Sequence, residues 1–265
     1  MVHFFKGGEM NVHAIILFDD IMEQAMTDFS KLSVLKTAVH TDSTAHLSED
    51  IKRITDLYID CFTNFGWLPK DVAFFKRNHF GKYDSFCELS ANDPVIAKIL
   101  DYLPLEEITD IGQLVPFHIR FTVLPDFYTV NGLIWSDNSK DIYLSFGICS
   151  IPRDMITIPA GRFAYVSDLF KEYDELSGQL LRDWLKEKKL SYNKIQKASK
   201  MHWGDTFYSY YIKVKMIMAI HQILFTTETL KQIAISHKFV KYSNMYRTFK
   251  KNHIDLTEIP RFAKH

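Results

Sequence analysis

Between Thr229 and Lys251 the chain reads TLKQIAISHKFVKYSNMYRTFKK, a stretch dense in long hydrogen-bond donors. Arg247 carries the residue type best suited to reading a base edge, because one guanidinium can grip guanine O6 and N7 together. Asn244 offers the equivalent pairing to adenine N6 and N7, and Ser243 lies one helical turn before Arg247 on the same side. Lys241, Lys250 and Lys251 suit phosphate oxygens, which hold register while the base edges specify sequence. Tyr246 is expected to face outward beside them.

Positioning those side chains needs a small, rigid helical core. Leu230, Ile233 and Ala234 fall on one side at helical spacing, Phe239 sits in a connection, and Met245 and Phe249 recur four residues apart. Six apolar side chains so placed close a core between two short helices and leave the donors outside. That is the layout of a helix-turn-helix whose second helix enters a major groove.

Ala219, Ile223-Leu224, Ile233-Ala234, Phe239, Ser243 and Arg247-Thr248-Phe249-Lys250 resemble the second helix-turn-helix of the AraC/XylS family of bacterial transcription regulators. The resemblance runs from about Val166 to Arg261, and implies two helix-turn-helix units joined by a long helix, here Asp205 to Phe225. Leu190-Ser191, Ile195-Gln196-Lys197 and Gly204 resemble the recognition helix of the first unit, with Leu180 to Lys188 as the helix before it. On that alignment Asn193, Gln196 and Lys197 take the base-reading face of the first unit, with Lys194 and Lys200 at phosphates, and Arg247 matches a base-contacting arginine of the family. The family's turn glycine is Lys238 here, its later glycine is Ile254 and its usual proline is Thr257. A residue with a Cβ is disfavoured at positive φ, so a differently shaped turn is expected at Lys238. Phe207 to Leu224 is apolar nearly all round, as a helix packed on several sides would be.

The 265 residues carry no net charge, yet the charge is unevenly spread. Residues 161–265 hold 19 Lys and Arg against 10 Asp and Glu, a net of +9, and the preceding 160 residues are −9. A basic back half is what phosphate contacts require. The 47% hydrophobic and 24% charged content is that of a soluble globular chain, and length suits two domains. No apolar run is long enough to span a membrane, and MVHFFKGGEM lacks the core of a secretory signal, reading instead as a short lead-in. Cys61, Cys87 and Cys149 are widely spaced, as reduced thiols of a cytoplasmic, nucleoid-associated bacterial protein would be. No HExxH or HxH pattern marks a metal, Gly7-Gly8 and Ala160-Gly161 are not phosphate loops, and Cys149 reads as a buried strand residue, so no enzyme and no cofactor is expected.

The front half mixes helix and strand. Asn11 to Phe18 reads as a strand, Asp19 to Phe29 as helical, and Val34 to His40 as a second strand. Ser48 looks like a cap for an amphipathic helix carrying Ile51, Ile54, Leu57, Tyr58, Cys61, Phe62 and Phe65, ending near Gly66. A strand at Val72 to Lys76 and helices at Asp93 to Tyr102 and Glu106 to Gln113 follow. Strands are then expected at Phe117–Leu124, Phe127–Trp135, Asp141–Ile148 and Ile156–Val166, with Asn131-Gly132 a hairpin or bulge signal and Asp137-Asn138 a turn. The fold expected is an α+β, sensor-like front domain over 1–163, with a cupin-like barrel and a PAS-like fold both open. An all-α double helix-turn-helix domain over 164–265 completes it. Phe62, Phe65, Phe74, Phe75, Phe80, Phe117, Phe121, Phe127, Tyr128 and Trp135 are either core or the lining of a pocket for a small apolar effector.

The function so implied is sequence-specific transcription regulation on double-stranded DNA, controlled at the front domain by a small molecule or partner. The resemblance adds homodimerisation and, for an activator, contact with RNA polymerase. An alternative stays open in which DNA binding has been lost and the back half holds another regulator or a polymerase subunit.

Overall fold

The computed structural model describes residues 9–32, 44–69, 75–173 and 179–264. Its secondary structure is mixed: ten α-helices among the described residues, with an antiparallel sheet. The chain forms two compact units, interleaved in sequence. A helical unit takes in residues 1–15, 61–69 and 157–261, and a sheet unit takes in 16–60, 70–156 and 262–265. The expected boundary at 163/164 thus falls inside the longest segment of the helical unit.

In the sheet unit four strands, β1 (Phe75–Lys82), β2 (Val115–Val123), β3 (Asp126–Ser136) and β4 (Ile142–Pro152), lie in the order β1-β4-β3-β2, all antiparallel. Partners in register share a face, so Ile119, Val130 and Ile148 form one row and Phe117, Gly132 and Phe146 the next. This face packs on α3 (Tyr83–Ser90) and α4 (Pro94–Leu100) through Phe86, Val95, Ile96 and Ile99. Asp93 caps α4, its side chain accepting from the N–H groups of Val95 and Ile96.

The opposite face carries Thr129, Asn131 and Trp135 of β3 with Gly147 and Cys149 of β4. Residues from Ile16 onward of α1 (Val12–Ser30) and up to Asp60 of α2 (Thr44–Asn64) meet it, with Asp19 accepting from Thr129 Oγ1 and Lys76 paired with Asp56. Gly132 stands in mid-strand because a Cβ there would lie 2.4 Å from Phe146 Cβ and 2.8 Å from the Phe117 ring. It marks a close approach of two rings, not a hairpin. Asp137 does make the β3–β4 turn, its carboxylate accepting from the N–H groups of Ser139 and Asp141.

Several expectations are corrected here. Of Asn11 to Phe18 only Asn11 is strand, the end of the two-residue strand Met10–Asn11: α1 starts at Val12, and Ala14, Ile15, Phe18, Ile21, Met22, Ala25, Met26 and Phe29 are buried at one continuous helical spacing. A short apolar run cannot separate the two periods by itself. Helix α2 begins at Thr44, so Ser48 is not its cap. Glu106 to Gln113 holds only a 3-10 turn at Leu105–Glu107, followed by a loop that Thr109 and Gln113 close with hydrogen bonds before Gly112 and Gln113 lead into β2. Strand structure after Ile156 ends at Thr157, two residues before Pro159. Residues 1–8 of the lead-in, Val34 to His40 and most of Val72 to Lys76 lie outside the described residues, while Met10, at the end of the lead-in, is a buried strand residue.

The helical unit is built on α5 (Tyr165–Glu172), α6 (Leu181–Glu187), α7 (Tyr192–Trp203), α8 (Phe207–Phe225), α9 (Leu230–Ser236) and α10 (Tyr242–Lys251). Gly204, in the left-handed region at φ 79°, ends α7 and lets the chain turn into α8, which Thr206 caps. Around α8 the side chains of Phe207, Tyr210, Tyr211, Met216, Ile217, Ile220, Ile223 and Leu224 are all buried, as its all-round apolar sequence implies. Trp203 stacks on Tyr210 at 4.3 Å, and Phe170 of α5 meets both rings edge-on.

Candidate nucleic-acid interface

Helices α9 and α10 are short, and their ends are secured in different ways. Thr229 and Gln232 form a capping box at the start of α9, so two of its free N–H groups are satisfied reciprocally. Ile233, Ala234, Phe239, Met245 and Phe249 are buried, and Leu230 is half-buried. The small core therefore closes on the side chains whose spacing suggested it.

The turn between these helices keeps a left-handed residue at Lys238, φ 61°, in spite of its Cβ. The differently shaped turn expected there is corrected accordingly. Phe239 N–H donates to Ala234 O at 2.8 Å, and Lys238 O accepts from Lys215 Nζ of α8 at 3.1 Å. Lys215 is only 8% exposed, its ammonium 5.0 Å from the Phe239 ring centroid. Its charge is spread over a carbonyl and aromatic faces instead of water. Beside it His237 Nε2 lies 2.6 Å from Gln222 Oε1, an acceptor, so the imidazole donates there. Burial first, and then the nearby Lys215 charge, lower the His237 pKa. At the end of α10 the left-handed residue is His253, φ 59°, one position before Ile254, and Ile254 is buried.

On α10 the buried Met245 and Phe249 turn Lys241, Tyr246, Arg247, Lys250 and Lys251 outward, all exposed, with Ser243 and Asn244 half-buried. Among the described residues Arg247 makes no hydrogen bond and no ion pair, so its five donors are available. Thr248 spends its hydroxyl on Asn244 O at 2.8 Å. The arrangement can offer one planar fork, one amide and one hydroxyl from a single helix face, with ammonium groups at both ends.

On α7, Asn193, Lys194, Lys197 and Lys200 are exposed, above buried Ile195, Ala198, Ser199 and Trp203. Gln196 differs from its expectation. It is half-buried, and its Nε2 is enclosed without a hydrogen-bond partner among the described residues. It sits on the flank of α7 that leads toward Ser199 and Trp203, so of the three residues expected on the base-reading face Asn193 and Lys197 are the exposed ones. On the inner side, Asn11 Nδ2 donates to His202 O at 2.7 Å, and His202 Nε2 lies 2.9 Å from Ser167 Oγ. The His13 and His202 rings stand 4.1 Å apart. Burial, with His13 adding to it, holds the His202 pKa at about 4.

The first helix pair bears on the beginning of α8 through Trp203 and Tyr210. The second bears on its later part through Gln222 with Ser236 and His237. A helix of 19 residues, about 28 Å long, thus fixes their separation. Lys213 adds a brace, pairing with Asp205 and donating to Phe65 O at 2.7 Å.

The aromatic residues read as either core or the lining of an effector pocket divide between the two units and between the two faces of the sheet. Phe117 and Phe121 lie in the core under α3 and α4, Trp135 is on the other face of the sheet beside Tyr143, and Phe62 and Phe65 belong to the helical unit. Alternation along β3 puts Trp135 on the face opposite Gly132, the register partner of Phe117. Phe74 lies outside the described residues. Lys215, His202 and Asp19 were not singled out in the sequence. Their partners are distant along the chain, Thr129 for Asp19 being 110 residues away, and no local pattern announces them.

No protein-family model, no curated protein and no solved structure matches this chain.

Proposed function

We propose that this chain is a sequence-specific regulator of transcription that binds double-stranded DNA through α10 and α7, in the manner of the AraC/XylS regulators its back half resembles. The observation that carries the reading is Arg247. It is exposed and unpaired on a helix whose other face is locked into a core, with Ser243 and Asn244 on the same side and Lys241, Lys250 and Lys251 around it. A free guanidinium on a rigid, basic, groove-sized helix suits bidentate reading of guanine, with the lysines neutralising phosphates. The net charge of +9 over residues 161–265 supplies the non-specific attraction that precedes reading.

The test is selection from a pool of random duplexes by the purified full chain at about 50 mM salt, followed by binding of the enriched sequence across a salt series. Enrichment of a common motif with a steep loss of affinity on added salt is the expected result. Failure to retain any duplex at low salt would overturn the reading and favour a protein-binding role for the same surface.

A further inference from the structure

Between α9 and α10 the backbone enters the left-handed region twice within three residues, at Lys238 and again at Val240, φ 66°. The first excursion is compensated, since it ends α9 with a backbone hydrogen bond and presents its carbonyl to Lys215. The second closes a three-residue turn in which Lys241 N–H donates to Phe239 O at 2.7 Å around Val240. A β-branched residue is the least suited of ordinary side chains to positive φ, where glycine is at ease. Folding gains almost nothing from the isopropyl group, which is 79% exposed. The fold would accept glycine here at lower cost, so the side chain has its use outside the folded chain.

The surroundings identify the class of partner. Val240 directly precedes Lys241, at the end of α10 that also carries Ser243 and Asn244, and Lys241, Arg247, Lys250 and Lys251 make this surface cationic. An anionic surface that nevertheless offers isolated methyl groups within reach of a helix N-terminus is the major groove, through the C5-methyl of thymine. Resting on the DNA-binding reading above, we infer that Val240 is a specificity-determining contact, packing its isopropyl group on a thymine methyl beside the bases addressed by Ser243, Asn244 and Arg247.

The test uses the full chain and its selected duplex, with each thymine replaced in turn by deoxyuridine, which deletes the methyl and leaves every hydrogen-bonding group in place. Wild-type protein should lose about fourfold in affinity at one thymine, the worth of one buried methyl. Val240→Gly should melt no lower than wild type, bind the unmodified duplex about fourfold more weakly, and show no further loss at that deoxyuridine. Undiminished binding by V240G would overturn the inference, as would equal sensitivity of both proteins to every deoxyuridine or a V240G that melts well below wild type. If wild-type protein retains no duplex at all, the DNA-binding reading itself has failed and this contact goes with it. Motif enrichment without a valine-dependent thymine overturns the contact alone.

Discussion

Lowering the pH from 7.5 to 4.5 should destabilise the helical unit through His202. The residue is 3% exposed, with Nε2 engaged by Ser167 Oγ at 2.9 Å and Nδ1 enclosed without a partner among the described residues. Burial, and then His13 at 4.1 Å, hold the pKa at about 4 against the ordinary 6.5. The folded state therefore favours the neutral ring, while the unfolded chain takes up a proton near 6.5. Stability from this site is complete above about 6.5 and is lost as the pH falls toward 4. Two and a half units would correspond to about 3 kcal/mol, and solvent screening reduces this to the order of 1–3 kcal/mol. Urea melts followed by tryptophan fluorescence, to which Trp203 contributes from the adjoining position, measure the change. His202→Gln keeps a polar partner for Ser167 but cannot charge, so its stability relative to wild type should rise steadily from pH 6.5 to 4.5. Carboxylate titrations are common to both proteins and cancel in the difference. A difference independent of pH would refute the assignment to His202.

Three further outcomes are expected. Arg247→Ala should cost about 1–3 kcal/mol of specific binding and relax one base position, while Lys250→Ala should weaken all duplexes alike and lower the salt slope by about one, both read by titration of the selected site and its single-base variants. Gly132→Ala should destabilise the sheet unit by about 1–3 kcal/mol in thermal melts, because the new methyl meets Phe146 Cβ and Ser145 O at 2.4 and 2.5 Å and backbone must shift. Burial raises the pKa of Asp19, against the opposing effects of Thr129, His118 and Arg120, so the folded state holds its proton longer than the unfolded chain. Stability from that site is complete below about 4 and is lost as the pH rises through the raised value. Asp19→Asn should accordingly gain on wild type as the pH rises from about 4 in the same melts, and a constant difference would count against it.

The second helix pair was legible because two signals coincide there. Ile233, Ala234, Met245 and Phe249 repeat at helical spacing, and the donors fall between them, so one pattern specifies the core and its complement specifies the surface. Strands β2, β3 and β4 were legible from β-branched and aromatic runs punctuated at Pro125 and at Asp137. The start of α1 was not, since IILF is equally a buried strand until its spacing is followed through Met22, Met26 and Phe29. Gln196 was misplaced because it lies at the border of the buried stripe of α7, where one residue's rotation decides exposure. Lys215 defeats reading altogether: a lysine within an apolar helix suggests a solvated edge, and the groups that meet its ammonium include the carbonyl of Lys238, 23 positions later, and the Phe239 ring.

The circumferential burial of α8 means that neither helix pair owns the spine it rests on. Stripping away one pair would leave half of that cylinder wet, with Tyr210 and Phe207 bare at one end or Ile223 and Leu224 at the other. The unit should consequently melt as one cooperative block, with the amide protons of α8 the slowest to exchange. Two surfaces held on such a spine stay in fixed phase with each other, so on the DNA-binding reading proposed above the spacing of the two half-sites would be built into the length of a single helix.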